Sequence, residues 1–340
     1  MNEEIRKQAE NFINNINESD KVAIITDHDP DGFTSGTLFF DYCLKKGAKV
    51  TQFTYSRGSS IEDDFNLENF NKIITTDLSS AAVAPILKKY EKKEILFMDH
   101  HPSDAKLPEG VIEYRTMYRG YIPSARSAYE LCGGKKWLSL VGIIIDAGFL
   151  YKENDEFIKG ALDEVNMTRK EFQDSVAFPI SNAITYLNKE PEKAFPLVQN
   201  ISNYDNLEDI KKYSKPIEDE ANRLVKEFEQ KKEDLGGVIF FYLEPKYSVK
   251  GIIVNKISLK EESLDKIFIF ASPNDSGKIT FSARSQSKKI NMATLLQEGI
   301  KGIDGNVGGH FNASGGIIPK EDLNKFKENL RRFLKKNPLN

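Results

Sequence analysis

Cysteine is scarce in this sequence of 340 residues, with Cys43 and Cys132 as its two copies. Two thiols so far apart exclude a disulfide framework and a thiolate zinc site, and they favour a reducing, cytoplasmic location. Long apolar runs are also absent: the run from Val238 to Leu243 is far shorter than the ~20 residues that a membrane span needs. The chain does not open with the basic, apolar leader of a signal peptide. We therefore expect a soluble protein with no membrane partner.

An excess of charge of one sign is missing too, since 48 basic residues face 51 acidic residues and leave a net charge of −3. This balance excludes a protein that is basic overall, so a polyanion would have to meet a local basic surface. One candidate is the window 278–301, in which five basic residues stand against Glu298, a net charge of +4. The alternative for this window is an ordinary solvated lysine face.

The first part of the chain predicts an α/β domain, which we place at residues 1–150. Short β-branched runs alternate with helical segments, a pattern typical of βα units in a mostly parallel, doubly wound sheet. Acidic or histidine residues follow the strands directly, at the edge where open α/β sheets bind ligands. The predicted strands are 21–26, 50–55, 72–76 and 94–98, and the predicted helices are 34–46 and 80–89.

The remaining chain divides into two further segments. Charged, helix-forming stretches predict a helical extension and connector over 151–235. Strand character returns after Gly236 and Gly237, so we expect a smaller α/β domain over 236–340. Within it, residues 302–316 hold six glycines, too many for a loop that only connects. The predicted strands of this domain are 238–243, 251–254, 267–271 and 278–283.

The first cluster of chemically active residues is the run Asp27-His28-Asp29-Pro30-Asp31-Gly32. It resembles a calcium loop, but such a loop needs a glutamate at its twelfth position, where this chain has Leu38, and a helix before it, where a strand is predicted. Helix capping stays open as an alternative, because a helix N-terminus attracts negative charge. Three carboxylates exceed what one cap needs, and their mutual repulsion favours a bound cation.

Three later segments add acids and imidazoles. Asp77 follows the third predicted strand, with helix capping as its alternative interpretation. The triplet Asp99-His100-His101 follows the fourth strand, and in an irregular loop the two imidazoles diverge, so that one can bind a metal while the other faces a substrate. Asp146 lies among apolar neighbours, where an unpaired carboxylate is costly, so it must meet a cation.

Together these residues predict a dimetal site. Oxygen-rich ligation with a minority of nitrogen and no thiolate suits Mn²⁺ or Mg²⁺ better than structural zinc. So many carboxylates exceed what one ion needs, and they favour two ions ~3.5–4 Å apart, an arrangement that hydrolyses phosphate esters. The sequence has no P-loop and no dinucleotide-binding glycine motif that would offer other phosphate chemistry.

At these residues the chain resembles the DHH phosphoesterase superfamily, whose Asp-His-His motif reads Asp99-His100-His101 here. The aspartate-rich run at 27–32, the isolated Asp77 and Asp146 occur in the same order as in that family. Residues 307–315 resemble the glycine-histidine motif of the DHH-associated domain of RecJ-type exonucleases and nanoRNA phosphodiesterases, with Val307 in place of its first glycine. The resemblance implies a DHH catalytic domain at 1–150 and a DHH-associated, substrate-binding domain at 236–340.

The resemblance also implies roles for individual residues. His101 would touch the scissile phosphate, Asp99 would orient a histidine, and Asp77 would bridge the two metals, which makes these three the expected catalytic residues. Arg284 is expected to clamp a second phosphate, with an ordinary surface arginine as the alternative. The expected metal ligands are Asp27, Asp29, Asp31, Asp77, His100 and Asp146, and the expected substrate-binding residues are His101, Arg284, Gly308, Gly309 and His310.

The function implied by the resemblance is a phosphodiesterase that uses two divalent cations, Mn²⁺ first and Mg²⁺ as the alternative. An archaeal RecJ-like exonuclease acting on an end of single-stranded DNA or RNA is the first expectation. One alternative hydrolyses very short oligonucleotides, adenosine bisphosphate or a cyclic dinucleotide, and another is a non-catalytic replication or repair scaffold. The expected partners are single-stranded nucleic acid, with replication or repair proteins and a second copy of the chain as open options. Tyr55, Tyr118 and Tyr121 are candidates for stacking on bases, with ordinary packing as their alternative.

Overall fold

A computed structural model describes residues 3–55, 65–103, 105–287, 289–309 and 311–338. The chain divides into two compact units, Met1–Lys215 and Pro216–Asn340. The division falls inside the helix Glu208–Lys231, whereas the sequence places a boundary near 233–237. The reason is that Ile217, Leu224 and Phe228 of this helix belong to a core of the second unit. The three-part division at 1–150, 151–235 and 236–340 remains a prediction.

The first unit contains a five-stranded sheet. Its strands are β1 (Lys21–Asp27), β2 (Lys49–Tyr55), β3 (Lys72–Thr76), β4 (Glu94–Asp99) and β5 (Ile112–Arg115). Their order is β2-β1-β3-β4-β5, and every adjacent pair is parallel. The structure thus confirms the α/β class that the alternating pattern predicts. The short β5 was not predicted, because four residues are too few to show a periodicity.

Helices cover both faces of this sheet. They are α1 (Glu3–Asn14), α2 (Pro30–Lys45), α3 (Ser80–Lys89), α4 (Ser124–Cys132) and α5 (Lys136–Ile145). On β1, Val22 and Ile24 pack in the core formed with α1, α2 and α5, whereas Ala23 and Ile25 pack in the core formed with α3. Successive strand residues point to opposite faces, so both faces of β1 are apolar and the sheet is doubly wound as expected.

A helical extension follows in the same unit, in agreement with the predicted helical character. Its helices are α6 (Asp155–Val165), α7 (Arg169–Phe172), α8 (Phe178–Tyr186), α9 (Pro191–Gln199) and the start of α10 (Glu208–Lys231). Phe195 of α9 stacks on Phe33 of α2 with ring centroids 4.7 Å apart, which fixes the extension to the α/β core. Among the described residues, no helix combines the length and apolar character needed to cross a membrane.

The second unit contains a six-stranded mixed sheet. Its strands are β6 (Glu233–Asp234), β7 (Val238–Tyr242), β8 (Ile267–Pro273), β9 (Ile279–Ser285), β10 (Asn306–Gly309) and β11 (Ala313–Ile318). The order is β10-β11-β9-β8-β7-β6, with only the β7–β8 pair parallel. The glycine-rich segment 302–316, for which no strand was predicted, contains β10 and the first residues of β11, which pair antiparallel.

Three further helices, α11 (Lys250–Ser258), α12 (Met292–Gly299) and α13 (Leu323–Lys336), belong to this unit. The prediction of a strand at 251–254 was wrong, because this segment lies within α11. Its Ile253, Val254 and Ile257 have helical spacing and pack against Phe268 and Phe270 of the sheet. A short run of β-branched residues does not distinguish a buried strand from a buried helix, and tertiary packing decided the outcome.

Candidate metal centre

The aspartate-rich run lies where β1 ends and α2 begins. Asp29 is the N-cap of α2, and its Oδ1 accepts a hydrogen bond from the Gly32 amide at 2.9 Å. A Cβ at Gly32 would come 2.5 Å from the carbonyl oxygen of Asp27, so only glycine permits this tight turn. Asp29 therefore caps the helix, as the alternative interpretation predicts. Asp27 and Asp31 do not cap it and have other hydrogen-bond partners.

Asp31 is buried and faces the start of α4. Its Oδ2 accepts a hydrogen bond from the Ser124 amide at 2.7 Å, and its Oδ1 accepts one from the Ala125 amide at 2.9 Å. Burial, followed by the negative charge of Asp146, raises the pKa of Asp31 to about 7. A buried carboxylate with a raised pKa is a group that a nearby cation would stabilise.

Asp77 directly follows β3 in the left-handed backbone region, with φ of 62°. This conformation is uncommon outside glycine, and aspartate is among the residues that tolerate it. The N-cap of the next helix is Ser79, so the capping alternative for Asp77 is wrong. Its Oδ1 accepts a hydrogen bond from Ser124 Oγ at 3.1 Å, while its buried Oδ2 has no hydrogen-bond partner among the described residues.

The two imidazoles of the triplet have different environments. His100 is buried, and its Nε2 lies 3.2 Å from Asp77 Oδ1 and 3.7 Å from Asp146 Oδ2. His101 is partly exposed, and its Nδ1 lies 2.8 Å from Asp99 Oδ1. Burial lowers the pKa of His100. Burial also acts to lower the pKa of His101, but the hydrogen bond with Asp99 and the surrounding carboxylates outweigh it and raise this pKa to about 9.

Asp146 is placed by the end of α5. It directly follows Ile145, the last residue of the helix, and its Oδ2 accepts a hydrogen bond from the Tyr121 hydroxyl at 2.6 Å. One turn earlier, a Cβ at Gly142 would come 2.5 Å from Asp31 Oδ1. The absence of a side chain at Gly142 therefore allows α5 to approach the aspartate-rich run closely.

Two groups of side chains in the described part of the chain have the geometry to hold a metal ion. One contains Asp77, His100 and His101, and the other contains Asp31, His100 and Asp146, with the ligand atoms of each group within 4.8 Å of one another. His100 is common to both groups. Four segments that are distant in sequence thus meet at the carboxyl edge of the parallel sheet.

The residues present fit divalent cations. Besides Asp77 Oδ2, the buried Nδ1 of His100 lacks a hydrogen-bond partner within the ranges that the structure describes. Burial, together with the charges of Asp29 and Asp31, raises the pKa of Asp77 well above its usual range. Crowded carboxylates of this kind repel one another unless protons or cations neutralise them. Carboxylate oxygens with an imidazole nitrogen suit Mn²⁺ or Mg²⁺.

Asp27 and Asp29, the other two expected ligands, are not in either group. Asp27 Oδ1 accepts a hydrogen bond from the His28 amide at 2.6 Å and lies 2.7 Å from His28 Nδ1. Asp29 is engaged as the cap of α2. Metal coordination by these two residues stays a prediction.

Sequence reasoning missed the residues that are not expected to bind metal but form hydrogen bonds to the expected ligands. Ser124 was not identified, and Tyr121 was considered only for base stacking. The hydrogen bonds from Ser124 and Ala125 to Asp31 come from backbone amides, which no side-chain pattern reveals. The sequence signal available was the pair Pro123-Ser124, which is typical of a helix start.

Apart from His101, the expected substrate-binding residues belong to the second unit. Arg284 is near the end of β9, and its Nε donates a hydrogen bond to Asn255 Oδ1 of α11 at 2.8 Å. Gly308 and Gly309 are in β10, where they pair with Gly315 and Ser314 of β11. Since β11 also pairs with β9, the strands of Arg284 and of the two glycines flank β11 on either side in one sheet. His310 lies outside the described residues.

Two family models match the chain. Residues 21–154 match the DHH family, N-terminal domain, and residues 219–336 match the DHHA1 domain. These matches confirm the presence of both domains. No curated protein matches the sequence.

Several solved structures share the fold. A structure of the exonuclease RecJ bound to manganese has a TM-score of 0.71 at 19% identity, covering 98% of this chain and 94% of that one. CDC45 from Entamoeba histolytica has a TM-score of 0.59 at 9% identity, covering 97% and 98%. A pGpG-specific phosphodiesterase from Vibrio cholerae has a TM-score of 0.53 at 14% identity, covering 93% and 99%. At these identities the similarity establishes the fold alone.

Proposed function

This chain contains a DHH-family N-terminal domain and a DHHA1 domain, and we propose from its metal centre that it is a dimetal phosphodiesterase of the RecJ-like exonuclease type. The proposed substrate is an end of single-stranded DNA or RNA. The proposed cofactors are two divalent cations, Mn²⁺ before Mg²⁺. The protein would work in the cytoplasm, with replication or repair proteins or a second copy of the chain as further partners.

One observation carries the proposal. His100 Nε2 lies within 3.7 Å of carboxylate oxygens from Asp77 and Asp146, which come from different elements. Such a cluster is expensive to bury without cations, so its presence at a sheet edge supports a catalytic metal site. The residues that would hold the two cations are Asp27, Asp29, Asp31, Asp77, His100 and Asp146.

The cations and two side chains of the protein would act together on the substrate phosphate. When bound, the two cations would supply Lewis-acid stabilisation of charge on a phosphate ester. The hydrogen bond with Asp99 favours the protonated ring of His101, which would donate a hydrogen bond to an oxygen of the scissile phosphate. Asp99 would hold the ring of His101 in the orientation that this contact requires.

The DHHA1 unit would bind the substrate backbone. The guanidinium of Arg284 is suited to a phosphate because it offers several donors in a planar fork. Gly308 and Gly309 are exposed, and they have no side chain to shield their backbone from an anion. His310 completes the proposed set of phosphate contacts.

Two alternatives can be separated from this proposal by experiment. The structural similarity to a pGpG-specific phosphodiesterase keeps hydrolysis of very short oligonucleotides as the second candidate. A non-catalytic replication or repair scaffold is the third candidate. The scaffold is the weaker candidate, because a protein without catalysis has no need of the costly cluster around His100.

Strands labelled at one terminus or the other test the proposal. RNA and DNA of 2 and about 20 nucleotides would be incubated with Mn²⁺, Mg²⁺ or a chelator, and the products resolved by size. We expect metal-dependent release of nucleotides from one end of the longer strand. Faster turnover of dinucleotides alone would favour the second candidate, and no turnover of any substrate would favour the scaffold.

Asp77→Ala is the informative variant, because it removes the carboxylate of one candidate ligand group and a contact of His100. Asp163→Ala, which removes an exposed carboxylate of α6, is the matched control. We expect Asp77→Ala to lose at least about 100-fold in rate, in line with the effect of removing one electrostatic stabiliser. Equal rates for both variants would refute the catalytic assignment.

A further inference from the structure

The segment Tyr121–Ala125 leads into α4 and contributes no expected metal ligand. It nevertheless contacts three of the candidate ligands, which come from three different parts of the first unit. These contacts are the hydrogen bonds from Tyr121 to Asp146, from Ser124 to Asp77, and from the Ser124 and Ala125 amides to Asp31.

Tyr121 holds the carboxylate of Asp146 through its hydroxyl. The distance from Tyr121 Oη to Asp146 Oδ2 is 2.6 Å, and Oη also lies 3.3 Å from the Asp146 carbonyl oxygen. The ring of Tyr121 stacks on Tyr151 with centroids 4.3 Å apart and meets the ring of His100 edge-on at 5.1 Å. The packing of the Tyr121 ring, as well as the hydrogen bonds, therefore fixes the direction of the hydroxyl.

The backbone of Tyr121 is anchored independently of that hydroxyl. Its amide donates a hydrogen bond to Glu153 Oε1 at 2.7 Å, and its carbonyl accepts one from Asn154 Nδ2 at 2.8 Å. Removal of the hydroxyl alone would leave these two contacts and the ring stack in place. The contribution of the hydroxyl to Asp146 can thus be separated from the contribution of the ring to folding.

Ser124 joins two further ligands from one position. Its amide bonds to Asp31 Oδ2, and its hydroxyl bonds to Asp77 Oδ1 at 3.1 Å. Since the hydroxyl is the donor to Asp77, that carboxylate keeps its buried Oδ2 for a cation. Replacement of Ser124 by alanine would remove the bond to Asp77 and retain both amide bonds to Asp31.

We propose that Tyr121 and Ser124 are positioning residues of the metal centre, whose hydroxyls hold the carboxylates of Asp146 and Asp77 in the orientation needed to bind the cations. This inference rests on the proposed function, because it requires that the cluster binds divalent ions. Hydrogen bonds to metal-ligating carboxylates fix ligand orientation, and their loss typically costs about 10- to 100-fold in metal affinity.

The test measures Mn²⁺ binding by calorimetry for the parent protein, Tyr121→Phe and Ser124→Ala, together with the melting temperature of each protein without metal. Tyr90→Phe is the matched control for a lost tyrosine hydroxyl. The hydroxyl of Tyr90 is buried away from the ligands, bonding to the Leu67 amide at 3.1 Å and the Phe65 carbonyl at 3.2 Å. A merely structural role would affect melting in all the variants and metal affinity in none.

We expect Tyr121→Phe and Ser124→Ala each to weaken Mn²⁺ binding at least about tenfold, and Tyr90→Phe to bind as the parent does. Parent-like affinity in both test variants would overturn the positioning roles while leaving the metal centre intact. Absence of Mn²⁺ binding by the parent would instead refute the proposed function. If Tyr121→Phe fails to fold, Ser124→Ala decides the outcome.

Discussion

His101 Nδ1 lies 2.8 Å from Asp99 Oδ1, and the two residues belong to the same triplet as the buried His100. The hydrogen bond holds the ring of His101 and raises its pKa to about 9, so the imidazole is cationic at neutral pH. Asp99 thus forms its hydrogen bond with His101, two positions later in the chain, while His100 contacts Asp77 and Asp146.

The contact between Asp99 and His101 predicts how the pKa of His101 changes in a variant of the metal-free protein. Asp99→Asn replaces the charged acceptor by a neutral amide, so the pKa of His101 should fall from about 9 towards its ordinary value. NMR titration of the imidazole signals measures this change. With only four histidines in the chain, each signal can be assigned by single substitution. A pKa of His101 that is the same in both proteins would contradict the assigned partner.

Metal and protons should compete at the carboxylates. The pKa of Asp31 is about 7 in the fold, above its ordinary value, so the folded state binds this proton more tightly than the unfolded chain. The resulting stabilisation is complete below about pH 4 and is lost as the pH rises through about 7. The metal-free protein should therefore lose this contribution between about pH 4 and 8.

Thermal melting with and without Mn²⁺ checks this competition. The rise in melting temperature on adding Mn²⁺ should be larger at pH 8 than at pH 5.5, because cations replace the protons that the fold has lost. The measurements at both pH values use Ca²⁺-free buffer of the same ionic strength, so that only the proton concentration differs between them. A metal-induced shift that is greater at the lower pH would contradict the prediction.

Gly142→Ala should damage the metal centre without changing any ligand. Its Cβ would come 2.5 Å from Asp31 Oδ1 and 2.6 Å from Ala125 Cβ, so the helix or the carboxylate must move. Overpacking of this kind costs about 1–3 kcal/mol of unfolding free energy. We expect weaker Mn²⁺ binding by calorimetry and a lower denaturation midpoint.

Gly160→Ala is the control for a glycine replaced inside a helix of the same unit. Its Cβ would come 3.2 Å from Lys136 Nζ, the far end of a long side chain that can shift by a few tenths of an ångström. Alanine raises helix propensity by about 1 kcal/mol, so this variant should be as stable as the parent or more so. Equal effects of the two substitutions would show that the contact with Asp31 is unimportant.

Arg284→Lys should weaken substrate binding while leaving the metal centre unchanged. Lysine keeps the charge but loses the planar fork of donors, and hydrogen bonds to charged groups contribute about 1.5–3 kcal/mol. We expect KM for a single strand to rise about tenfold or more, with unchanged Mn²⁺ affinity. Lys278→Ala, which removes an exposed charge just before β9, is the control. A larger KM effect in the control would point to overall charge as the cause.

The sequence by itself determined the fold class and the identity of most candidate ligands. Parallel strands carry their carboxyl ends to one edge of the sheet, so residues that follow β1, β3 and β4 meet there whatever their separation along the chain. For this reason the sequence predicts that Asp31, Asp77 and His100 lie close together, whereas Asp146 follows helix α5 and was identified from its apolar neighbours. The motif residues of the DHHA1 domain were identified by their resemblance to the glycine-histidine motif of that family.

Only the tertiary structure decided which groups support those ligands. The Ser124 amide reaches Asp31 because the start of α4 packs against α2, and Tyr121 reaches Asp146 because its ring stacks on Tyr151. Asp29 caps α2 and Asp31 does not. This difference also depends on the direction of the backbone at the two residues. Contacts of this kind arise from packing between distant segments, which local periodicity and residue type do not encode.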